Sequence, residues 1–170
     1  MYEIGTLVLY DKRGVYKVKS VGVPPVRGAA GDYYELCAVF SNSNEIIYTP
    51  VDMTSSMRPL ISGGEAAHYL ELFAQLEPHV FRSGKTMDLT AHYRDLLASR
   101  KVEDCLLLMK EIYVKQREMA RQKKSPRQVD AQYLRLAEKL ICEEFAVALD
   151  TTPDLIRERL YKVTERKATA

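Results

Sequence analysis

Met57-Arg58-Pro59-Leu60-Ile61-Ser62-Gly63-Gly64-Glu65 is the stretch on which the fold turns. Before it, apolar residues alternate with a period of about two; after it they recur with a period of about 3.6. Ser62 followed by Glu65 has the pattern of a capping box, in which each side chain satisfies a backbone N–H of the other residue. A helix is therefore expected to begin near Gly63, and a short strand to end near Leu60.

Working back towards the N-terminus, Thr6–Tyr10, Gly14–Val21, Asp32–Phe40 and Glu45–Thr49 are rich in Val, Ile and Tyr and predict strands. Asp11–Gly14 and Ser41–Asn44 are short polar loops suited to hairpins. Val23–Gly31 contains Pro24-Pro25, Gly28 and Gly31 and predicts an exposed, partly stiff connection. With the short strand at Met57–Leu60, these elements suit a small, strongly bent antiparallel barrel.

Working forward, Ala66, Tyr69, Leu70, Phe73 and Leu76 form one apolar stripe. Pro78–Thr86 predicts a loop, followed by a helix from Asp88 or Thr90 that carries Tyr93, Leu96 and Leu97. A third helix is expected over Val102–Gln122. Ser125-Pro126 predicts an N-cap and first-turn proline for a helix that runs to Leu149. Thr151-Thr152-Pro153-Asp154 repeats that signal for a last helix from Leu155 to near Glu165. The expected class is α+β: a barrel over 1–61, then an all-helical bundle of about five helices over 62–170.

The chain has 170 residues, 46% of them hydrophobic and 28% charged, with a net charge of +2. No run of eighteen apolar residues occurs, so a membrane span is not expected. The N-terminus lacks a basic region leading into an apolar core, so a secretory signal is not expected. Cys37, Cys105 and Cys142 are far apart, odd in number and without a CxxC pair. They predict buried, reduced thiols in a cytoplasmic protein rather than a zinc or redox centre.

Catalysis is not indicated. His68, His79 and His92 lack metal-ligand spacing, and no HExxH, GxSxG or phosphate-loop glycine pattern is present. His68 and His92 are expected on helix surfaces, and Glu143-Glu144 at a solvated corner. The chain is read as a non-enzyme with no metal, no cofactor and no small-molecule substrate.

Three features point to binding. Glu45-Ile46-Ile47-Tyr48-Thr49 has consecutive apolar side chains, so at least one faces outwards. Either a loop or the first helix covers this edge, or a partner's strand pairs with it. Lys110, Lys115, Arg117, Arg121, Lys123, Lys124 and Arg127 are opposed only by Glu111 and Glu118. They form either a solvated helix end or a surface for phosphates. Arg82, Lys85, Arg94, Arg100 and Lys101 make a weaker second group. Tyr10, Tyr16, Tyr33, Tyr34 and Tyr48 suit either packing within the sheet or a stacking surface for RNA.

Ile4-Gly5, Val8-Leu9-Tyr10 with Gly14, Tyr34-Glu35-Leu36, Tyr48-Thr49-Pro50-Val51-Asp52 and Met57-Arg58-Pro59-Leu60-Ile61-Ser62 together resemble the CarD/CdnL family of bacterial transcription regulators. Tyr93-Arg94, the helix start at Ser125, and Leu134, Ala137, Leu140 and Glu144 extend the resemblance along the chain. It implies a Tudor-like N-terminal barrel that docks on the β subunit of RNA polymerase by strand pairing. It also implies a helical domain that contacts promoter DNA at the upstream edge of the melted bubble and stabilises the open complex. On this basis Ile46, Tyr48 and Arg58 are expected to bind polymerase, and Lys85, Leu89, Arg94, Lys123, Lys124 and Arg127 to contact DNA. The chain departs from the family in having no tryptophan: the place of the family's wedge falls on Leu89. His92 stands where an arginine is expected, Ala131-Gln132 where a basic pair is expected, and Tyr48 replaces an arginine of the docking strand. Two other functions are compatible with the sequence: an adaptor that binds protein only, and an RNA-binding small barrel.

Overall fold

The computed structural model describes residues 1–41 and 44–169, the side chains of 166–169 excepted. The chain divides into two compact units, Met1–Ile61 and Ser62–Ala170. The first contains strands β1 (Leu7–Tyr10), β2 (Gly14–Gly22), β3 (Tyr33–Ala38), β4 (Ile46–Pro50) and β5 (Met57–Pro59), with a 3-10 turn at Thr54–Ser56 before β5. All pairings are antiparallel, in the order β4-β3-β2-β1-β5. The closed barrel expected from the sequence is not formed. β4 and β5 are the two edges of an open sheet, because β5 pairs with β1 rather than closing onto β4.

Side-chain alternation sorts the strands into two faces, and Leu9 and Val15 are buried on the face opposite the main core. Val8, Tyr16, Val18, Tyr34, Leu36 and Met57 form that main core. Tyr10, Val21, Ala38 and Ile47 pack against them while remaining partly buried. A register shift between Val18 and Ser20 marks a bulge at Lys19 that bends β2. The β1–β2 turn needs left-handed backbone at Asp11 (φ 41°) and Gly14 (φ 120°), which the glycine adopts without a Cβ penalty. The expected Ser41–Asn44 hairpin centres on residues 42 and 43, outside the described residues. Tyr16 and Tyr34 lie in the core, so the five tyrosines do not share one stacking surface.

The second unit contains α1 (Gly63–Gln75), α2 (Thr86–Ala98), α3 (Val102–Arg121), α4 (Gln128–Ala148) and α5 (Pro153–Thr169). The capping box forms as the sequence predicts: Glu65 N donates to Ser62 Oγ at 3.1 Å and Ser62 N donates to Glu65 Oε2 at 2.7 Å. Gly63 has a second role, since a Cβ there would lie 2.8 Å from the Ala148 carbonyl oxygen at the end of α4. α2 begins earlier than expected. Its buried stripe is Leu89, Tyr93 and Leu97, one turn ahead of the stripe read from Tyr93, Leu96 and Leu97. The N-cap expected at Ser125 is not used: α4 is preceded by Arg127, which makes no side-chain cap. Leu155 N donates to Thr152 Oγ1 at 3.3 Å, which caps the α5 start with Pro153 in its first turn.

Burial corrects several surface expectations. Glu143 and Glu144 are 7% and 1% exposed rather than a solvated corner. Cys105 and Cys142 are buried, and burial pushes the Cys142 thiol up to about 12. Cys37 is only half-buried, on the outer face of β3. No helix among the described residues is long and apolar enough to cross a membrane.

Candidate sheet-edge and basic interfaces

β4 pairs with β3 and, among the described residues, has no strand on its other side. Ile47 and Thr49 point inwards, opposite Leu36 and Tyr34, while Ile46 and Tyr48 lie on the outer face opposite Cys37 and Glu35. Ala38 N donates to the Glu45 carbonyl and Val51 N to the Asp32 carbonyl, which sets the phase of the ladder. Antiparallel alternation then turns the N–H and C=O of Ile46 and Tyr48 away from β3, towards the open side. Pro50 lacks an N–H and fits the strand because this is an edge. Ile46 is 41% exposed, so an apolar side chain sits beside the outward amides. Next to Tyr48, a hollow of about 210 Å³ is lined by Ser20, Tyr33, Glu35 and Pro24 among others. Ser20 Oγ donates to Glu35 Oε2 at 2.6 Å and Lys19 Nζ lies 3.3 Å from Glu35 Oε1. The Ser20 hydroxyl bond, with Lys19 behind it, holds the Glu35 carboxyl below the usual range. Arg58 is not part of this edge; it lies on β5, at the opposite side of the sheet.

In the helical unit, the residues expected to contact DNA fall into three groups. Lys85, Lys123, Lys124 and Arg127 lie on two segments, the loop before α2 and the α3–α4 turn, which Arg127 joins. Arg127 Nη1 donates to the Ser83 carbonyl at 2.5 Å, and its Nη2 to the Gly84 carbonyl and Thr86 Oγ1 at 3.3 and 3.2 Å. These bonds hold the α3–α4 turn against the loop that carries Lys85. Lys123 adopts a left-handed backbone (φ 55°), and the Lys124 amide donates back to the Met119 carbonyl at 2.8 Å. This closure of the α3 C-terminus leaves both lysine side chains exposed. Arg94 is exposed on α2 and makes no described contact with that cluster. Leu89 is 1% exposed and packs inside the bundle. The wedge expected of it is a correction: a wedge needs a side chain in solvent, and this one is core.

No family model matches the chain, and no curated protein matches it.

The basic run on α3 also divides. Lys110 is buried and donates to the Phe73 and Ala74 carbonyls at 3.2 and 3.3 Å, closing the end of α1. Lys115 is buried too, with its Nζ 2.9 Å from Tyr93 Oη and 3.8 Å from Asp130 Oδ1. Tyr93 donates to Asp130 Oδ1 at 2.6 Å. His92 is half-buried rather than on the surface: its Nε2 lies 2.9 Å from Glu111 Oε2, and its ring stacks on Phe81 at 4.7 Å. Glu111 also accepts from Phe81 N at 2.9 Å. Sequence reasoning missed this interior network of Glu111, Lys115, Asp130 and Tyr93. The available signal was spacing, because Glu111 and Lys115 fall on the same helical face as Leu108 and Ile112.

Proposed function

We propose that this chain is a bacterial transcription regulator of the CarD/CdnL kind. Its sheet unit, a Tudor-like module, docks on the RNA polymerase β subunit by strand addition along β4. Its helical unit turns the basic end made by Lys85, Lys123, Lys124 and Arg127 towards promoter DNA. It works in the cytoplasm by binding rather than chemistry: holding polymerase and unwound DNA together shifts the closed-to-open equilibrium. The main support is the outward main chain of Ile46 and Tyr48 on an edge strand, beside an exposed isoleucine.

The test is co-purification of the full-length chain with polymerase, repeated for Tyr48→Asp. Wild type is retained and the variant is lost while its circular dichroism is unchanged. Equal retention of both removes the docking edge. The burial of Leu89 favours a second reading, a protein-only adaptor. A salt series on a promoter fragment separates the two. Phosphate contacts make log affinity fall with log salt by about 0.9 per contact, whereas an adaptor binds no fragment.

A further inference from the structure

We infer that the hollow between the 82–84 loop, α3 and the start of α4 is a binding site for a phosphate-type oxyanion. It has a volume of about 320 Å³ and is lined by Arg82, Ser83, Gly84, Lys115, Met119, Arg127 and Asp130. A water's share of liquid volume is about 30 Å³, so the hollow accommodates a tetrahedral anion with part of its hydration.

Lys115 is the decisive group. It is 7% exposed, yet among the described residues its ammonium has one hydrogen bond, to Tyr93 Oη, and a longer ion pair with Asp130. An ammonium has three donors, and burying one without full pairing is costly. Burial lowers the Lys115 pKa, and an anion seated in the hollow would counter that. Arg127 stands beside it with three bonds to neutral oxygens and, among the described residues, no carboxylate partner. Those bonds fix the guanidinium plane as a preorganised wall. Arg82 completes the lining, paired at the rim with Glu118 at 2.5 Å.

The opposing charges are largely occupied. Asp130 Oδ1 accepts from Tyr93, Glu118 is held by Arg82, and Glu111 is held by His92 and Phe81 N. Among the described residues that line the hollow, Asp130 is the one carboxylate facing Lys115 and Arg127. Charge-assisted bonds from such a pair suit a phosphate oxygen better than a neutral ligand.

A DNA phosphodiester and a free phosphate present the same chemistry, so the site does not depend on the transcription reading. The test is an amide NMR titration of the full chain with sodium phosphate, against sodium chloride at matched ionic strength. Phosphate alone is expected to shift Ser83, Gly84 and Arg127, and Lys115→Met to weaken that binding at least tenfold. Gly84→Glu serves as the second variant. A Cβ there meets nothing within 4 Å, so the backbone position accepts a side chain, and the change brings a carboxylate to the wall. A short DNA duplex that displaces phosphate makes the hollow part of a DNA face. Phosphate binding untouched by DNA makes it a small-anion site and leaves the DNA reading without this support. Gly84→Glu is likewise expected to weaken binding; absence of a phosphate-specific response in wild type, or a response in both variants equal to that of wild type, overturns the inference.

Discussion

The two units differ in what they place inside. The sheet buries Val8, Val18, Tyr34 and Leu36 with Thr49 as its buried polar residue, whereas the bundle buries Lys110, Glu111, Lys115, Asp130, Glu138, Glu143, Glu144 and Thr164. An apolar interior holds the sheet together by area and leaves its polar main chain available at the edges. The bundle instead uses buried polar groups to tie parts of the chain that apolar packing alone would not position. Lys110 closes α1, Tyr93 and Lys115 meet Asp130 between α2, α3 and α4, and Tyr161 bonds Glu138 between α5 and α4.

This contrast is sharpened first by Asp130→Ala. The change strips Tyr93 of its acceptor and Lys115 of its counter-ion, and the expected loss is about 3–5 kcal/mol by urea denaturation. Adding Lys115→Met should recover a measurable part, since the stranded charge is gone. A single-variant loss within about 0.5 kcal/mol, as for a surface position, would mean that the polar interior does not hold the bundle. Leu36→Ala comes next. It opens a cavity in the sheet core and should cost about 3 kcal/mol, with no rescue from any charge change nearby. A loss matching that of an exposed position would break the apolar half of the comparison.

The smallest effect belongs to Glu35, on the sheet's outer face. Its folded pKa is lowered, so the unfolded chain binds more protons in the acid window. The stabilisation is present above the ordinary glutamate pKa and is lost as pH falls through the folded value. Glu35→Gln should flatten the urea midpoint across that window; an unchanged slope would show that the Ser20 and Lys19 contacts carry no linkage.

How much of this was legible beforehand depended on range in the sequence. The capping box needs only Ser62 and Glu65, and the structure contains both bonds. The strands at β1 to β4 announced themselves through Val, Ile and Tyr. Local chemistry misled where a distant partner prevailed. Ser125-Pro126 is a sound helix start, yet α4 begins at Gln128, after an arginine that bonds Ser83, 44 positions away. Leu89 offered an apolar side chain at a helix start, and nothing near it in sequence showed that it would be swallowed by the bundle.

Residue order alone established that two kinds of structure meet at Ser62, because apolar periodicity and capping are properties of neighbours within one turn or one hairpin. Three-dimensional packing decided that the sheet stays open, that Arg58 parts company with Ile46 and Tyr48, and that Lys115 goes inwards. Those outcomes rest on strand order and on contacts between segments tens of residues apart, where desolvation and pairing of a side chain outweigh its local preference.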